Sequence, residues 1–82
     1  MKKILPNQKQ IILRLCAMCQ SKSCKQLAAR LGVSSALISR IARSDAAIGA
    51  RFFVKVLRHT GMTYRQALLR LDIPDTHFGG EK

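Results

Sequence analysis

The sequence predicts an all-α fold, a compact bundle of about five short helices in one small domain. Three observations predict it. Apolar residues recur three and four positions apart along most of the 82-residue chain, the repeat that gathers them on one side of a helix. Residues that accept amide hydrogen bonds at helix starts, namely Asn7, Ser23, Ser34 and Thr63, precede these runs, and Gly32, Gly61 and Pro74 follow them. No segment alternates apolar and polar residues well enough to predict a strand.

Taken in order, Asn7 with Gln10 forms a capping pattern, so the first helix is expected over residues 8 to 19. It buries Ile11, Ile12, Leu15 and either Met18 or Cys19, and turns Lys9 and Arg14 outward. Ser23 with Gln26 forms a capping box that starts a second helix at Cys24. Leu27, Ala28 and Leu31 make its inner face, and Gly32 supplies the left-handed residue that ends many helices. Val33 then turns inward. Ser34 is the N-cap of a third helix, in which Leu37, Ile38, Ile41 and Ala42 fill one half of the wheel. The other half is Ser35, Ala36, Ser39, Arg40 and Arg43.

Residues 44 to 48 read as a connecting loop, with Asp45 capping or flanking the helix that follows. Gly49 argues that this fourth helix starts no earlier than there. Its inner face is Phe53, Val56, Leu57 and Thr60, and it ends at Gly61. Phe52 and Phe53 cannot both face one core, which leaves Phe52 half-exposed. Thr63 and Gln66 form another capping box, opening a fifth helix with Ala67, Leu68 and Leu71 inside. Pro74 forbids extension. The expected organisation is one domain over residues 1–74 and a short, flexible, polar tail over residues 75–82.

Fifteen basic residues oppose four acidic ones, a net charge of +11, and no Asp or Glu precedes Asp45. The basic residues of that acid-free half are Lys2, Lys3, Lys9, Arg14, Lys22, Lys25, Arg30, Arg40 and Arg43. Such asymmetry is the footprint expected for a nucleic acid or an anionic membrane. No apolar run approaches the roughly 20 residues that span a bilayer, which weakens the second choice. Pro6 to Gln10 interrupt the apolar start before a signal sequence can form, so a cytoplasmic, nucleoid-associated location is expected. A domain of this size has a core only just large enough to fold alone, which favours a homodimer.

The third helix carries the most specific signal. Its outer half has no acidic residue and no large apolar one, so it can approach a polyanion closely. Arg40 has the fork that suits guanine O6 and N7. Within residues 23–43, read S-C-K-Q-L-A-A-R-L-G-V-S-S-A-L-I-S-R-I-A-R, the spacing of Ala28, Gly32, Val33, Ile38 and Ile41 resembles a known helix-turn-helix. It is that of the lambda repressor and Cro-like family, often called the XRE family, and I-S-R-I at residues 38–41 is similar to a common sequence in it. Gly61, Met62 and Thr63 are similar to the family's G-V-S lead to a last helix. The resemblance covers roughly two thirds of the chain.

The resemblance implies that the third helix lies in the major groove of double-stranded DNA while the second crosses the backbone. Ser35, Ala36, Ser39 and Arg40 would then read bases, with Ala36 against a thymine methyl. Ser23, Cys24, Lys25, Ser34, Arg43 and Arg51 would contact phosphate. A homodimer on a palindromic operator follows, with Phe52, Tyr64 and Arg65 as candidates for its interface. The chain departs from the family at Ser44, where a glycine usually follows the recognition helix, at Ile48, near a usual proline, and at Ala36, a frequent polar reader. The expected role is a transcriptional regulator, a repressor from a bacterium or phage. The alternative is an antitoxin-like protein-interaction module that keeps the fold.

Other chemistries fare worse. Cys16, Cys19 and Cys24 form C-x2-C-x4-C, but three thiols need a distant fourth ligand such as His59 or His77, and Cys16 and Cys19 share a helix face as soft core fillers. No metal and no cofactor is therefore expected, and the thiols are read as reduced. In the family's geometry Cys24 lies near the backbone, where its oxidation would weaken binding. His59 suits the end of a helix as a dipole partner, and His77 falls in the tail. No nucleophile with a nearby base, carboxylate pair or glycine-rich phosphate loop appears, so neither an enzyme nor a small-molecule substrate is expected. RNA binding lacks the aromatic platform of common single-strand readers. Lys9 and Arg58 read as solvated surface charges.

Overall fold

The computed structural model describes residues 4–78, so Lys2, Lys3 and residues 79–82 of the expected tail lie outside the described residues. Five helices follow in order: α1 (Gln8–Met18), α2 (Cys24–Leu31), α3 (Ser35–Ala42), α4 (Ala50–Thr60) and α5 (Tyr64–Leu71). No strand occurs among the described residues. The protein is all-α, and no helix among the described residues is long and apolar enough to cross a membrane.

Local chemistry sets most helix starts. The Ser23 hydroxyl accepts from the Gln26 amide at 3.2 Å, Ser34 from Leu37 at 3.1 Å and Thr63 from Gln66 at 3.2 Å. Gln66 also reaches back to accept from the Thr63 amide, completing the box. In α2 the corresponding side chain overshoots by one residue, and Gln26 Oε1 accepts from the Lys22 amide instead. Both arrangements satisfy amides that no helical carbonyl can reach.

The exits follow one rule. Each helix is followed by a residue with positive φ: Gln20, Gly32, Ser44, Gly61 and Asp72. After four of them the next amide closes onto the carbonyl five residues back: Ser21 to Cys16, Val33 to Ala28, Asp45 to Arg40 and Ile73 to Leu68, at 2.8 to 3.0 Å. That is the Schellman closure, which occupies carbonyls left open at a helix end. At the end of α4 the Thr60 hydroxyl takes over, accepting from the Met62 amide and donating to the Val56 carbonyl.

The core draws on every helix. Ile11, Leu15, Leu27, Ile38, Ile41, Val56 and Leu71 are fully buried, joined by Ile48 from the loop before α4. Helix α3 packs against α1 and α2, α2 also meets α4, and α1 meets α5. Gln8, fully buried at the start of α1, ties these parts together. Its Nε2 donates to the carbonyls of Ile41 and Ala46, both at 2.8 Å, and its Oε1 accepts from the Leu5 amide at 3.0 Å.

Several expectations are corrected. Phe52 is not half-exposed: it is 4% exposed and Phe53 2%. Adjacent helical residues point about 100° apart, so one packing surface cannot cover both. The second cover comes from Phe78, beyond Pro74, together with Tyr64 at the start of α5. Phe78 lies against Phe53 with ring centroids 4.7 Å apart, and Tyr64 meets Phe53 edge-on at 5.5 Å. Residues 75–78 are thus part of the domain and not a free tail, and a ring nitrogen of His77, Nε2, lies 2.9 Å from the Ile48 carbonyl oxygen.

Asn7 makes no cap with its side chain; its Nδ2 donates to the Asp72 carbonyl and pins α1 to the end of α5. Asp45 does not cap α4, whose N-cap is Gly49, and instead pairs with Arg43. Helix α1 stops at Met18 because the chain turns left-handed at Gln20. Leu37, Ala42, Leu57 and Thr60, expected inside, are half-buried at the edge of the core.

Candidate nucleic-acid interface

Helix α3 is short, yet it is held from several sides. Ser34 caps its start, Ile38 and Ile41 anchor its inner face, and Gln8 takes the Ile41 carbonyl near its end. A rigid mount matters because a side chain must arrive at a base edge within a few tenths of an ångström. At about 100° per residue, Ser35, Ser39, Arg43, Ala36 and Arg40 fall within an arc of about 140° on the opposite side. Ser35, Ala36, Arg40 and Arg43 are exposed and Ser39 is half-buried. The four candidate base readers therefore share one accessible face with no carboxylate among them.

The expected phosphate contacts divide. Lys25 at the start of α2 and Arg51 at the start of α4 are exposed. Ser23 and Ser34 are exposed as well, and although their oxygens accept cap hydrogen bonds, each hydroxyl keeps its proton to donate to a phosphate oxygen. Cys24 is half-buried against the core, so its backbone amide at the first turn is better placed than its thiol. Arg43 Nε lies 3.3 Å from Asp45 Oδ2 with both side chains mostly exposed, the only ion pair among the described residues. An exposed pair of this kind is weak enough for a phosphate to displace the carboxylate.

The residues expected at a dimer interface are not brought together. Phe52 belongs to the core, while Tyr64 is 45% exposed and Arg65 exposed at the start of α5. The tyrosine ring nevertheless rests on Phe53, which fixes its position.

At Ser44, where the resembled family usually has glycine, φ is 64°, so the backbone demand remains and a serine meets it under strain. Burial pushes the Cys16 thiol above its ordinary range, with Cys24 and Cys19 adding to the effect. Burial does the same for Cys19, offset in part by Arg30. These are features of protonated, packed thiols. No three His, Cys, Asp or Glu side chains come together in a metal-binding group among the described residues.

Two contacts are hard to foresee from the sequence. Gln8 had a signal: positions 8, 11, 12, 15 and 19 form one helical stripe, and the stripe is buried throughout. Its polarity hid it. Arg14 Nη1 donates to the Arg70 carbonyl at 3.1 Å, a meeting of α1 and α5 that no local pattern announces. Comparison with family models, curated proteins and solved structures finds no match to this chain.

Proposed function

We propose that the chain is a sequence-specific double-stranded DNA-binding transcription regulator of the lambda repressor and Cro-like kind, a repressor of bacterial or phage origin. It acts in the cytoplasm, at the nucleoid, as a homodimer. One observation carries this reading: the outward face of α3 presents Ser35, Ala36, Ser39 and Arg40 with no carboxylate and no large apolar side chain among them, on a chain of net charge +11. A helix with that face enters a major groove without steric or electrostatic penalty.

Arg40 donates its two parallel N–H groups to guanine O6 and N7, Ser35 and Ser39 bond base edges or phosphate, and Ala36 touches a thymine methyl. Lys25, Arg51, the Cys24 amide and Arg43 position the helix on the backbone, with Ser23 and Ser34 donating where their caps allow. Two copies related by symmetry read half-sites about one turn apart, roughly 34 Å. With Phe52 inside the core, Tyr64 and Arg65 are what remains of the candidate dimer contact. An antitoxin-like module would either cover Ser35, Ala36, Ser39 and Arg40 or use Phe52, and the burial of Phe52 removes the second route.

Selection of bound duplexes from a random pool at about 0.15 M salt tests the proposal. A palindromic consensus supports it, and failure to enrich any sequence overturns it. Arg40→Ala should cost about 1–3 kcal/mol at one base pair and relax preference there, whereas Arg43→Ala should weaken all duplexes alike and lower the salt slope by about 0.9. Equal losses of the Arg40 variant on selected and random duplexes would remove it from base reading.

A further inference from the structure

A second cluster of cations lies away from α3, where the end of α2 meets α4. Arg30, Leu31, Lys55, Arg58 and His59 line a cleft of about 260 Å³. Lys55, Arg58 and His59 are spaced i, i+3 and i+4 and share one face of α4, while Arg30 comes from the last turn of α2. All four side chains are exposed, and none takes part in an ion pair among the described residues. Buried Leu31 forms the apolar floor.

Helix dipoles explain part of this arrangement and leave the rest. Arg30, Arg58 and His59 each sit in a last turn, where the negative end of a helix favours a cation. Lys55 sits in the middle of α4, beyond the reach of that effect. Helix α4 also contains no acidic residue, so like charges at helical spacing weaken it with no compensating partner. Convergence of the Arg30, Lys55 and Arg58 charges beside His59 on one carboxylate-free cleft leaves a like-charge repulsion that an anion would relieve. Its volume falls below the roughly 300–1,000 Å³ of sites that enclose drug-sized ligands, which suits a single charged group.

We infer that this cleft is a second anion site, in which Arg30, Lys55, Arg58 and His59 take a phosphate group. Arg58, read from sequence as a solvated charge, becomes a binding residue. The phosphate belongs either to a DNA backbone beyond the reach of α3 or to a free phosphate compound. Neither source requires α3 to read bases, so the site stands or falls apart from the function proposed above.

The test uses inorganic pyrophosphate and a random-sequence duplex on the full chain, followed by NMR, with Lys55→Gln/Arg58→Gln as the variant. Lys9→Gln/Lys22→Gln serves as a control of equal charge, because both side chains are exposed and neither lines this cleft. Pyrophosphate should shift the resonances of Arg30, Lys55, Arg58 and His59 and leave residues 35–43 unmoved. The cleft variant should bind it about tenfold more weakly and the control unchanged. If the cleft variant also lowers the duplex salt slope by about 1.8, the backbone is the natural source; an unchanged slope assigns the site to a free phosphate compound. Shifts spread over all cationic surfaces, or equal losses in the two variants, would overturn the site and leave only diffuse charge.

Discussion

The chain makes nearly the same turn twice. Leu31, Gly32, Val33 and Ser34 lead from α2 into α3; Thr60, Gly61, Met62 and Thr63 lead from α4 into α5. In each a left-handed glycine is followed by an inward apolar residue and a hydroxyl cap, with φ of 75° at Gly32 and 76° at Gly61. Their surroundings differ. Beyond the first turn α3 shows small residues and Arg40 to solvent, whereas beyond the second Tyr64 leans on Phe53 and Leu69 is 75% exposed. Local chemistry thus produces a helix pair, and the exposed face decides what the pair can do.

The difference is sharpest in the core beneath each turn. Phe53→Ala should cost about 3–5 kcal/mol, because it empties the centre of a cluster that also positions Phe78 and Tyr64. Urea unfolding measures it. A cost below that of Ile38→Ala under α3 would break the view that the aromatic end is the more tightly coupled region. Gln8→Ala comes next, at about 2–3 kcal/mol, since it strands the Ile41 and Ala46 carbonyls and the Leu5 amide in the interior. If Gln8→Leu restores stability, filling space matters more there than hydrogen bonding.

The turns themselves should respond alike. A Cβ at Gly32 or Gly61 meets nothing within 4 Å, so alanine at either costs only the strain of positive φ, about 1 kcal/mol. Ser44→Gly at the exit from α3 runs the other way and should stabilise by about 0.5–1 kcal/mol. Thermal unfolding compares the three. Unequal costs for the two glycines would show that tertiary contacts, and not the local turn, set the strain.

The smallest effect concerns the thiols where α1 approaches α2. Cys16 and Cys19 titrate above their ordinary value because burial disfavours the thiolate. Their contribution to stability is complete below the unfolded thiol value and is lost as pH rises from there through the folded value. Stability should therefore decline on the alkaline side of about 8.5 in the wild type and decline less in a Cys16→Ala/Cys19→Ala variant. Iodoacetamide at neutral pH should label both thiols more slowly than in the urea-unfolded chain.

Much of the fold is legible in the amino-acid order. Ser23, Ser34 and Thr63 cap the helices expected of them, Gly32 and Gly61 end two, and Ile38 and Ile41 anchor α3. These succeed because a cap or a left-handed glycine acts within four residues of itself. The outward face of α3 is legible for the same reason, since helical period alone places Ser35, Ala36, Ser39 and Arg40 together. The cleft at Arg30 is not, because it needs two helices to cross, and neither helix records where the other lies.

By itself, then, the sequence determined the number of helices, their turns, the charge and which face of α3 is polar. These depend on contacts a few residues apart and on composition. Tertiary structure alone decided the fate of Phe52, the docking of residues 75–78, the bonds of Gln8 and the company of Arg58. Each of those joins residues distant in the chain, where the free energy lies in closing long loops around a shared core and no local pattern encodes the partner.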